Sequence, residues 1–259
     1  MKLKDKKVFI TGASTGIGAA IAVRLSKDGA NLYLAGGKNQ ASLNETIETC
    51  KKNGVNASGE CVDLSDLDTV PPLLSNAEQF LSGLDILINC AGLRSFSAVG
   101  DFTKDEIEKL FKINSMSAFY LSSLSAKIML KQGSGQILNI GSTAGEAGVA
   151  NFTLYCSTKG AMHLMTKGMA VELGPQGIRV NALAPGTILS ETVGSVVEKD
   201  KEKEKKLMAT IPSGRFGTVE EVADCAAFIV SDEADYMNGA IILLDGGRVF
   251  KINNETKYN

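Results

Sequence analysis

Short apolar runs that resemble β-strands alternate with amphipathic helical stretches along most of this chain of 259 residues. The run at 86–89 is apolar on both faces, which is typical of a strand covered on both sides of a sheet. Seven segments are predicted to be strands: 7–11, 32–35, 57–62, 86–89, 136–140, 179–184 and 240–244. Helices are predicted near 17–28, 41–53, 66–81, 103–132, 153–174 and 218–231.

This strict alternation predicts an α/β fold, a doubly wound, parallel, seven-stranded sheet with helices on both faces. No Pro- or Ser-rich linker interrupts the series, so residues 1–247 are predicted to form one domain, followed by a C-terminal tail at 248–259. The segment 191–210 departs from the alternation of strands and helices, and residues 198–206 are almost wholly charged. It is predicted to be a solvated helix, a flap over the substrate pocket, or both, because ligands of such sheets bind beyond the carboxyl ends of the strands and a flap also needs a solvated outer face.

Composition excludes several classes of protein. The chain carries 27 basic and 29 acidic residues, so no basic surplus favours nucleic acid or a membrane surface as a partner. No apolar run approaches the roughly 20 residues that span a bilayer, and the N-terminus lacks the apolar core of a signal peptide. The scattered cysteines and the single histidine, His163, suggest a cytoplasmic, metal-free protein in which His163 serves packing or a subunit contact.

A glycine-rich turn, with Gly12, Gly16 and Gly18, joins the first predicted strand to the first predicted helix. Glycine lets the backbone approach a pyrophosphate, whose charge is stabilised by the free N–H groups of a helix N-terminus. The turn therefore predicts nucleotide binding.

Tyr155 and Lys159 are four residues apart on a predicted helix, so they share a face. A nearby ammonium favours the ionised phenol, which suits Tyr155 to proton transfer; the alternative is a half-buried tyrosine beside a solvated lysine. Ser142, at the end of a predicted strand, is either a turn residue or a hydrogen-bond donor of the same site. Asn114 is either a locally satisfied helix residue or a further member of that site.

These motifs, in this order, resemble the classical short-chain dehydrogenase/reductase family over residues 5–247. Residues 11–18 match its T-G-x-x-x-G-x-G turn, and residues 89–92 match N-N-A-G, with cysteine for the second asparagine. Residues 185–186 match its P-G turn and residues 245–247 its D-G-G, while Ser142, Tyr155 and Lys159 keep its order and spacing. The resemblance implies a Rossmann-type fold and a homotetramer built on the helices near 103–132 and 153–174 and on the last strand.

The resemblance also implies a role for each matching residue. Tyr155 supplies a proton to a carbonyl oxygen, and Ser142 donates a second hydrogen bond to that oxygen. Lys159 binds the nicotinamide ribose and lowers the pKa of the phenol, and Asn114 positions a water. Cofactor contacts are expected at Gly12, Ser14, Thr15, Gly16, Ile17, Gly18, Lys38, Asp63, Leu64, Asn89, Ala91, Gly92, Tyr155, Lys159, Pro185, Gly186, Ile188 and Ser190.

The second predicted strand ends without the carboxylate that NAD-selective sites place on the ribose 2′-hydroxyl. Lys38 falls where similar NADP-dependent members carry arginine, so NADP(H) is predicted in preference to NAD(H). Against this, Thr15 stands where such relatives are often basic, and lysine lacks the bidentate fork of arginine.

The predicted function is an NADPH-dependent carbonyl reductase that interconverts a ketone and a secondary alcohol. Residues 213–223 look most like 3-oxoacyl-[acyl-carrier-protein] reductases, so a 3-oxoacyl thioester is the first expectation for the substrate. Gln176, however, stands where such a reductase carries an arginine. A sugar, polyol or other secondary-alcohol dehydrogenase is the alternative, and a non-catalytic NADP(H)-sensing protein is a remote one.

Overall fold

The structure is a computed structural model that describes residues 2–190 and 200–250. Within those residues the strands are β1 (Lys7–Thr11), β2 (Asn31–Gly36), β3 (Ala57–Cys61), β4 (Ile86–Asn89), β5 (Gly135–Ile140), β6 (Ile178–Pro185), β7 (Ile188–Leu189), β8 (Gly217–Thr218) and β9 (Ile241–Leu244). Seven of them form a parallel sheet in the order β3-β2-β1-β4-β5-β6-β9. The predicted sheet is confirmed, and the short pair β7–β8 is an addition that the sequence pattern did not predict.

The helices of the described residues are α1 (Gly16–Lys27), α2 (Gln40–Lys52), α3 (Val70–Leu81), α4 (Lys104–Phe111), α5 (Ser117–Gln132), α6 (Thr153–Leu173), α7 (Lys201–Met208) and α8 (Val219–Ile229). Successive strand residues point to opposite faces of the sheet. Val8 and Ile10 of β1 accordingly join a core with α1, α2 and α8, whereas Phe9 joins a core with α3, α5 and α6. Helices therefore cover both faces, as predicted.

The predicted helix over 103–132 is confirmed in its extent, but one turn inside it is π-helical rather than α-helical. A π-helical turn at Lys112–Met116 separates α4 from α5. The apolar pattern runs through both helices and carries no sign of the wider turn. Asn114 lies inside it and is tied by hydrogen bonds to Leu93 and Thr158, so contacts made elsewhere in the chain set this local geometry. Such turns occur frequently at functional sites.

The order of the strands reverses between β1 and β4, and ligands of doubly wound sheets bind at the carboxyl edge beside such a reversal. Thr11, the last residue of β1, accepts hydrogen bonds from the backbone N–H groups of Cys90 (3.1 Å) and Ala91 (3.2 Å). This hydroxyl fixes the loop after β1 to the loop after β4. The two loops form one rigid border at the edge where a ligand is expected.

The predicted flap and tail fall partly outside the described residues. Helix α7 occupies 201–208 of the flap, but residues 191–199 are not described. A short 3₁₀ turn, Arg248–Phe250, begins the tail, and residues 251–259 are likewise not described. The domain boundary at 247 stays a prediction. Among the helices that the structure describes, none combines the length and the apolar character needed to cross a membrane.

Candidate active site

A cavity of about 880 Å³ lies at the carboxyl edge of the sheet, beside the strand-order reversal. Its walls come from the glycine turn, the ends of β2, β4 and β5, helix α6 and the loop after β6. Every residue predicted to bind the cofactor or to react lines it, except Asn89 and Asn114: Gly12, Ser14, Thr15, Gly16, Ile17, Gly18, Lys38, Asp63, Leu64, Ala91, Gly92, Ser142, Tyr155, Lys159, Pro185, Gly186, Ile188 and Ser190.

The glycine turn leaves no room for side chains. Gly12 has φ +70°, and a Cβ added to it would stand 2.8 Å from the backbone of Ala91. A Cβ on Gly18 would stand 2.2 Å from the carbonyl oxygen of Gly12. Thr15, the N-cap residue of α1, makes no side-chain capping bond. The first N–H groups of this helix therefore lack that partner and are available to an anion in the cavity.

At the end of β2, a polar atom is buried without a partner. Ser14 Oγ has no hydrogen bond within the described residues, and a Cβ on Gly36 would stand 2.3 Å from it. A side chain at position 36 would therefore displace the Ser14 hydroxyl and crowd Leu43 and Cys61, so glycine suits this position better than a residue that carries a carboxylate. The neighbouring Lys38 is exposed, and its charge contributes to the lowered pKa of the Asp63 carboxyl, of which hydrogen bonds from Ser65 are the largest cause.

Tyr155 and Lys159 lie on one face of α6, as their spacing predicts, and both are buried, with 7 % and 4 % of their surface exposed. Lys159 Nζ donates a hydrogen bond to the carbonyl oxygen of Ile140 (2.8 Å) and lies 5.9 Å from the centroid of the Tyr155 ring. The Phe152 ring packs against Tyr155 at a centroid distance of 4.6 Å. The Tyr155 ring thus packs against an aromatic ring and has an ammonium nearby.

Ser142 follows β5 and lines the same cavity. Its Oγ accepts a hydrogen bond from the backbone N–H of Ala144 (3.2 Å), so it caps the short 3₁₀ turn Thr143–Gly145. Both interpretations of the sequence therefore hold in part, because the residue shapes a turn and faces the cavity. A hydroxyl that accepts one bond can still donate its proton, here toward a ligand.

Asn114 and Asn89 lie behind the wall of the cavity. Asn114 is fully buried, accepts from the N–H of Leu93 (2.7 Å), and donates to Leu93 O (2.9 Å) and Thr158 Oγ1 (3.0 Å). Both of its amide hydrogens are therefore used within the protein. Asn89 donates to the side chain of Asn139 (2.8 Å) and joins β4 to β5. The water predicted at Asn114 and the cofactor contact predicted at Asn89 stay predictions.

A family model described as "Enoyl-(Acyl carrier protein) reductase" matches residues 12–248. The L-xylulose reductase of Bos taurus is 35% identical over 251 residues, which are 95% of this chain and 98% of the relative. The chain is a classical short-chain dehydrogenase/reductase. It is accordingly an oxidoreductase that acts on CH–OH groups with a nicotinamide cofactor, as its resemblance to the family implied.

Two solved structures resemble this oxidoreductase over nearly the whole chain. One is a putative 2-deoxy-D-gluconate 3-dehydrogenase from Agrobacterium tumefaciens with bound NADP, with a TM-score of 0.87, 32% identity and coverage of 96% of this chain and 98% of that one. The other is an NAD⁺-bound xylitol dehydrogenase, with a TM-score of 0.90, 28% identity and coverage of 95% and 100%. Neighbours of this fold therefore include structures with either cofactor.

Several further residues line the cavity although the sequence did not single them out for binding. Lys109 and Ile113 come from the end of α4 and the π turn, and Ile140 and Gly141 come from the end of β5. The spacing of four between Lys109 and Ile113 was a usable signal, since such residues share a helix face. Cys90, which replaces the second asparagine of the family turn, also lines the cavity, and burial raises the pKa of its thiol to about 12, so the thiol stays protonated at neutral pH.

Proposed function

We propose that this enzyme is an NADPH-dependent reductase of a small ketone, and that its product is a sugar-, polyol- or similar secondary alcohol. The observation that carries the proposal is the meeting of Ser142, Tyr155 and Lys159 on one wall of a cavity whose other end holds the glycine turn and Ser14. A carbonyl oxygen that gains negative charge during reduction needs both a hydrogen-bond donor and a source of a proton close to it.

The cavity fits a dinucleotide with a 2′-phosphate. The crowded turn at Gly12 and Gly18 and the uncapped start of α1 suit a pyrophosphate. At the end of β2, the Ser14 hydroxyl, which has no partner within the described residues, and the Lys38 ammonium suit a further phosphate. Gly36 carries no carboxylate that would repel it. The preference for NADP(H) over NAD(H) rests on this set of groups.

Each residue of the site has its own role in the proposed reaction. NADPH, when bound, supplies a hydride to the carbonyl carbon. Tyr155 transfers its phenolic proton to the carbonyl oxygen, while the Ser142 hydroxyl donates a hydrogen bond to the same atom. Lys159 is placed to favour the phenolate that results, because its buried ammonium lies beside the Tyr155 ring and is held there by Ile140 O.

The relatives favour the sugar and polyol substrates over a 3-oxoacyl thioester. L-xylulose, 2-deoxy-D-gluconate and xylitol stand in the names of the proteins compared above. An acyl carrier protein is acidic, and Gln176 supplies no charge where an arginine would meet it; its side chain instead donates to Glu172 O. The thioester stays a second candidate, because the matching family model is described by an acyl-carrier-protein reaction.

The test is the initial rate of NADPH and of NADH oxidation by the purified protein with L-xylulose, 5-keto-D-gluconate, butane-2,3-dione and acetoacetyl-CoA. We expect kcat/KM to be highest for one of the first three with NADPH. Tyr155→Phe is the matched control, because it removes only the hydroxyl and should abolish turnover while the Kd of NADPH is kept. Tight NADPH binding without turnover of any carbonyl would instead support a sensor, and a preference for NADH would contradict the cofactor assignment.

We also propose that the enzyme is a homotetramer, with α5 and α6 forming one of its interfaces. Three apolar side chains of these helices are exposed in the single chain, Phe119 (53%), Leu164 (72%) and Val171 (80%), and so is Met116 (46%) at the end of the π-helical turn. Apolar area of this kind is stabilised by a second subunit. Light scattering should give four times the mass of the chain, and Leu164→Glu should lower it; a monomeric wild type would refute the proposal.

A further inference from the structure

His163 lies on α6 two turns beyond Tyr155, on the face that also carries Lys159. The sequence suggested packing or a subunit contact for this histidine. In the folded chain only 3% of its surface is exposed, so it is not part of an outer contact face. Its ring instead stands directly behind the loop that carries Ser142.

The backbone of that loop wraps around the imidazole. A Cβ on Gly141 would stand 2.3 Å from Nε2 of His163, and a Cβ on Gly145 would stand 2.7 Å from Cε1. Ser142 lies between these two glycines, which touch the ring from both ends of the turn. The ring therefore fills the space that any side chain at either position would need.

Glu146 binds the His163 ring from the solvent side. Its Oε1 lies 2.7 Å from Nδ1 of His163, across 17 residues of sequence. Within the described residues Nε2 has no hydrogen-bond partner, so the tautomer that fits is the one with the proton on Nδ1, donated to the carboxylate. This bond joins the end of the loop to the helix that carries Tyr155.

The surroundings keep the ring neutral. Burial is the largest cause of the lowered pKa of His163, and the positive charges of Lys159 and Lys167 act in the same direction. The Glu146 carboxylate opposes them. With the proton on Nδ1, Nε2 is an acceptor that is buried without a partner within the described residues, and a Cβ on Gly141 would stand 2.3 Å from it.

We propose that His163 and Glu146 are positioning residues, which hold the Gly141–Gly145 turn so that the Ser142 hydroxyl points at the carbonyl oxygen of the substrate. The inference rests on the proposed function, in which Ser142 donates that hydrogen bond. Within the described residues, Ser142 Oγ is bound only by the N–H of Ala144, which belongs to the turn itself, so the position of this hydroxyl follows the turn. A displacement of about 1 Å at such a donor can lower kcat by as much as about 100-fold.

The experiment measures kcat, KM and the Kd of NADPH for variants of the pair, with the panel carbonyl that has the highest kcat/KM. His163→Leu removes the donor at similar volume, Glu146→Ala removes the acceptor from a partly exposed position, and His163→Asn keeps a donor near the place of Nδ1. Gln132→Leu is the matched control, because it loses hydrogen bonds to the backbone of Leu84 at the opposite edge of the sheet.

We expect His163→Leu and Glu146→Ala to lower kcat roughly 10- to 100-fold, with the Kd of NADPH changed less than about twofold. His163→Asn should recover most of the loss, and Gln132→Leu should leave kcat unchanged. Placed in a Ser142→Ala background, Glu146→Ala should lower kcat less than about twofold further, because its effect passes through the missing hydroxyl. Amide hydrogen exchange at residues 144–147 should be faster in Glu146→Ala.

Three results would overturn the inference: wild-type kcat in both single variants, the same fold-loss in the Ser142→Ala background, or no recovery by His163→Asn. Should His163→Leu fail to fold, the cycle between Glu146→Ala and Ser142→Ala decides the question alone. Failure of the proposed function would give a different pattern of activities in these variants. If Ser142→Ala keeps full turnover, the role of Ser142 itself is wrong; if it is inactive while Glu146→Ala is normal, only this inference is wrong.

Discussion

A carboxylate placed at Gly37 should convert the cofactor preference of this enzyme. A Cβ at Gly37 would meet no heavy atom within 4 Å, so aspartate fits at this position without displacing a neighbour. It lies at the end of β2 beside Lys38, where the proposed 2′-phosphate is bound. The Gly37→Asp carboxylate would repel that phosphate and could accept a hydrogen bond from the 2′-hydroxyl of NAD(H).

The size of the effect follows from Coulomb's law. At a separation of about 6 Å and an effective dielectric constant of about 20 to 40, one unit charge on the phosphate is repelled by about 1.4 to 2.8 kcal/mol. This energy corresponds to a change of roughly 10- to 100-fold in the ratio of kcat/KM for NADPH to that for NADH. Salt screens an exposed pair, so the change should be larger at low ionic strength.

The assay compares that ratio for the wild type, Gly37→Asp and Gly37→Asn at two salt concentrations. Asparagine has the same shape without the charge, so it should leave the ratio within about threefold of the wild type. Equal changes in both variants would show that shape rather than charge controls the preference. An unchanged ratio in Gly37→Asp would show that the phosphate is not bound at the end of β2.

Three further predictions concern the wall that carries Tyr155. Lys159→Ala should lower turnover and weaken NADPH binding together, as fluorescence titration and initial rates would show; loss of turnover alone would contradict a contact with the ribose. Gly141→Ala should lower the free energy of unfolding in urea by about 1 to 3 kcal/mol, because its Cβ would stand 2.3 Å from the His163 ring. Burial holds the pKa of His163 in the folded chain below 6.5, so at pH values just below 6.5 the unfolded chain binds more protons than the folded chain. The free energy of unfolding therefore falls as the pH is lowered through that range. The difference in unfolding free energy between wild type and His163→Asn should therefore shrink between about pH 7.5 and pH 5.5, and a constant difference would show that His163 does not titrate there.

The fold was predictable because the signals are local. The limits of Lys7–Thr11 and Ile86–Asn89 follow from apolar runs that end in glycine or in the turn after Asn89, and the structure gives the same limits. The glycine turn and the Tyr155–Lys159 spacing are local as well, since each pattern spans fewer than ten residues.

The parts that the sequence did not predict depend on long-range contacts. The π turn around Asn114 is held by Leu93 and Thr158, which are 21 and 44 residues away. Periodicity describes one helix at a time and contains no information about such partners. For the same reason, the lone histidine could not be assigned to the active-site wall.

The sequence by itself determined the α/β architecture, the family and the set of groups that are proposed to carry the reaction, because strand–helix alternation and motif spacing are properties of short segments. Only the tertiary structure decided which atoms lie beside those groups. Packing of α6 against the end of β5 brings His163 behind Gly141, and packing of β2 beside the glycine turn brings Ser14 against Gly36. These contacts are fixed by how the elements are placed on one another, which no short stretch of sequence specifies.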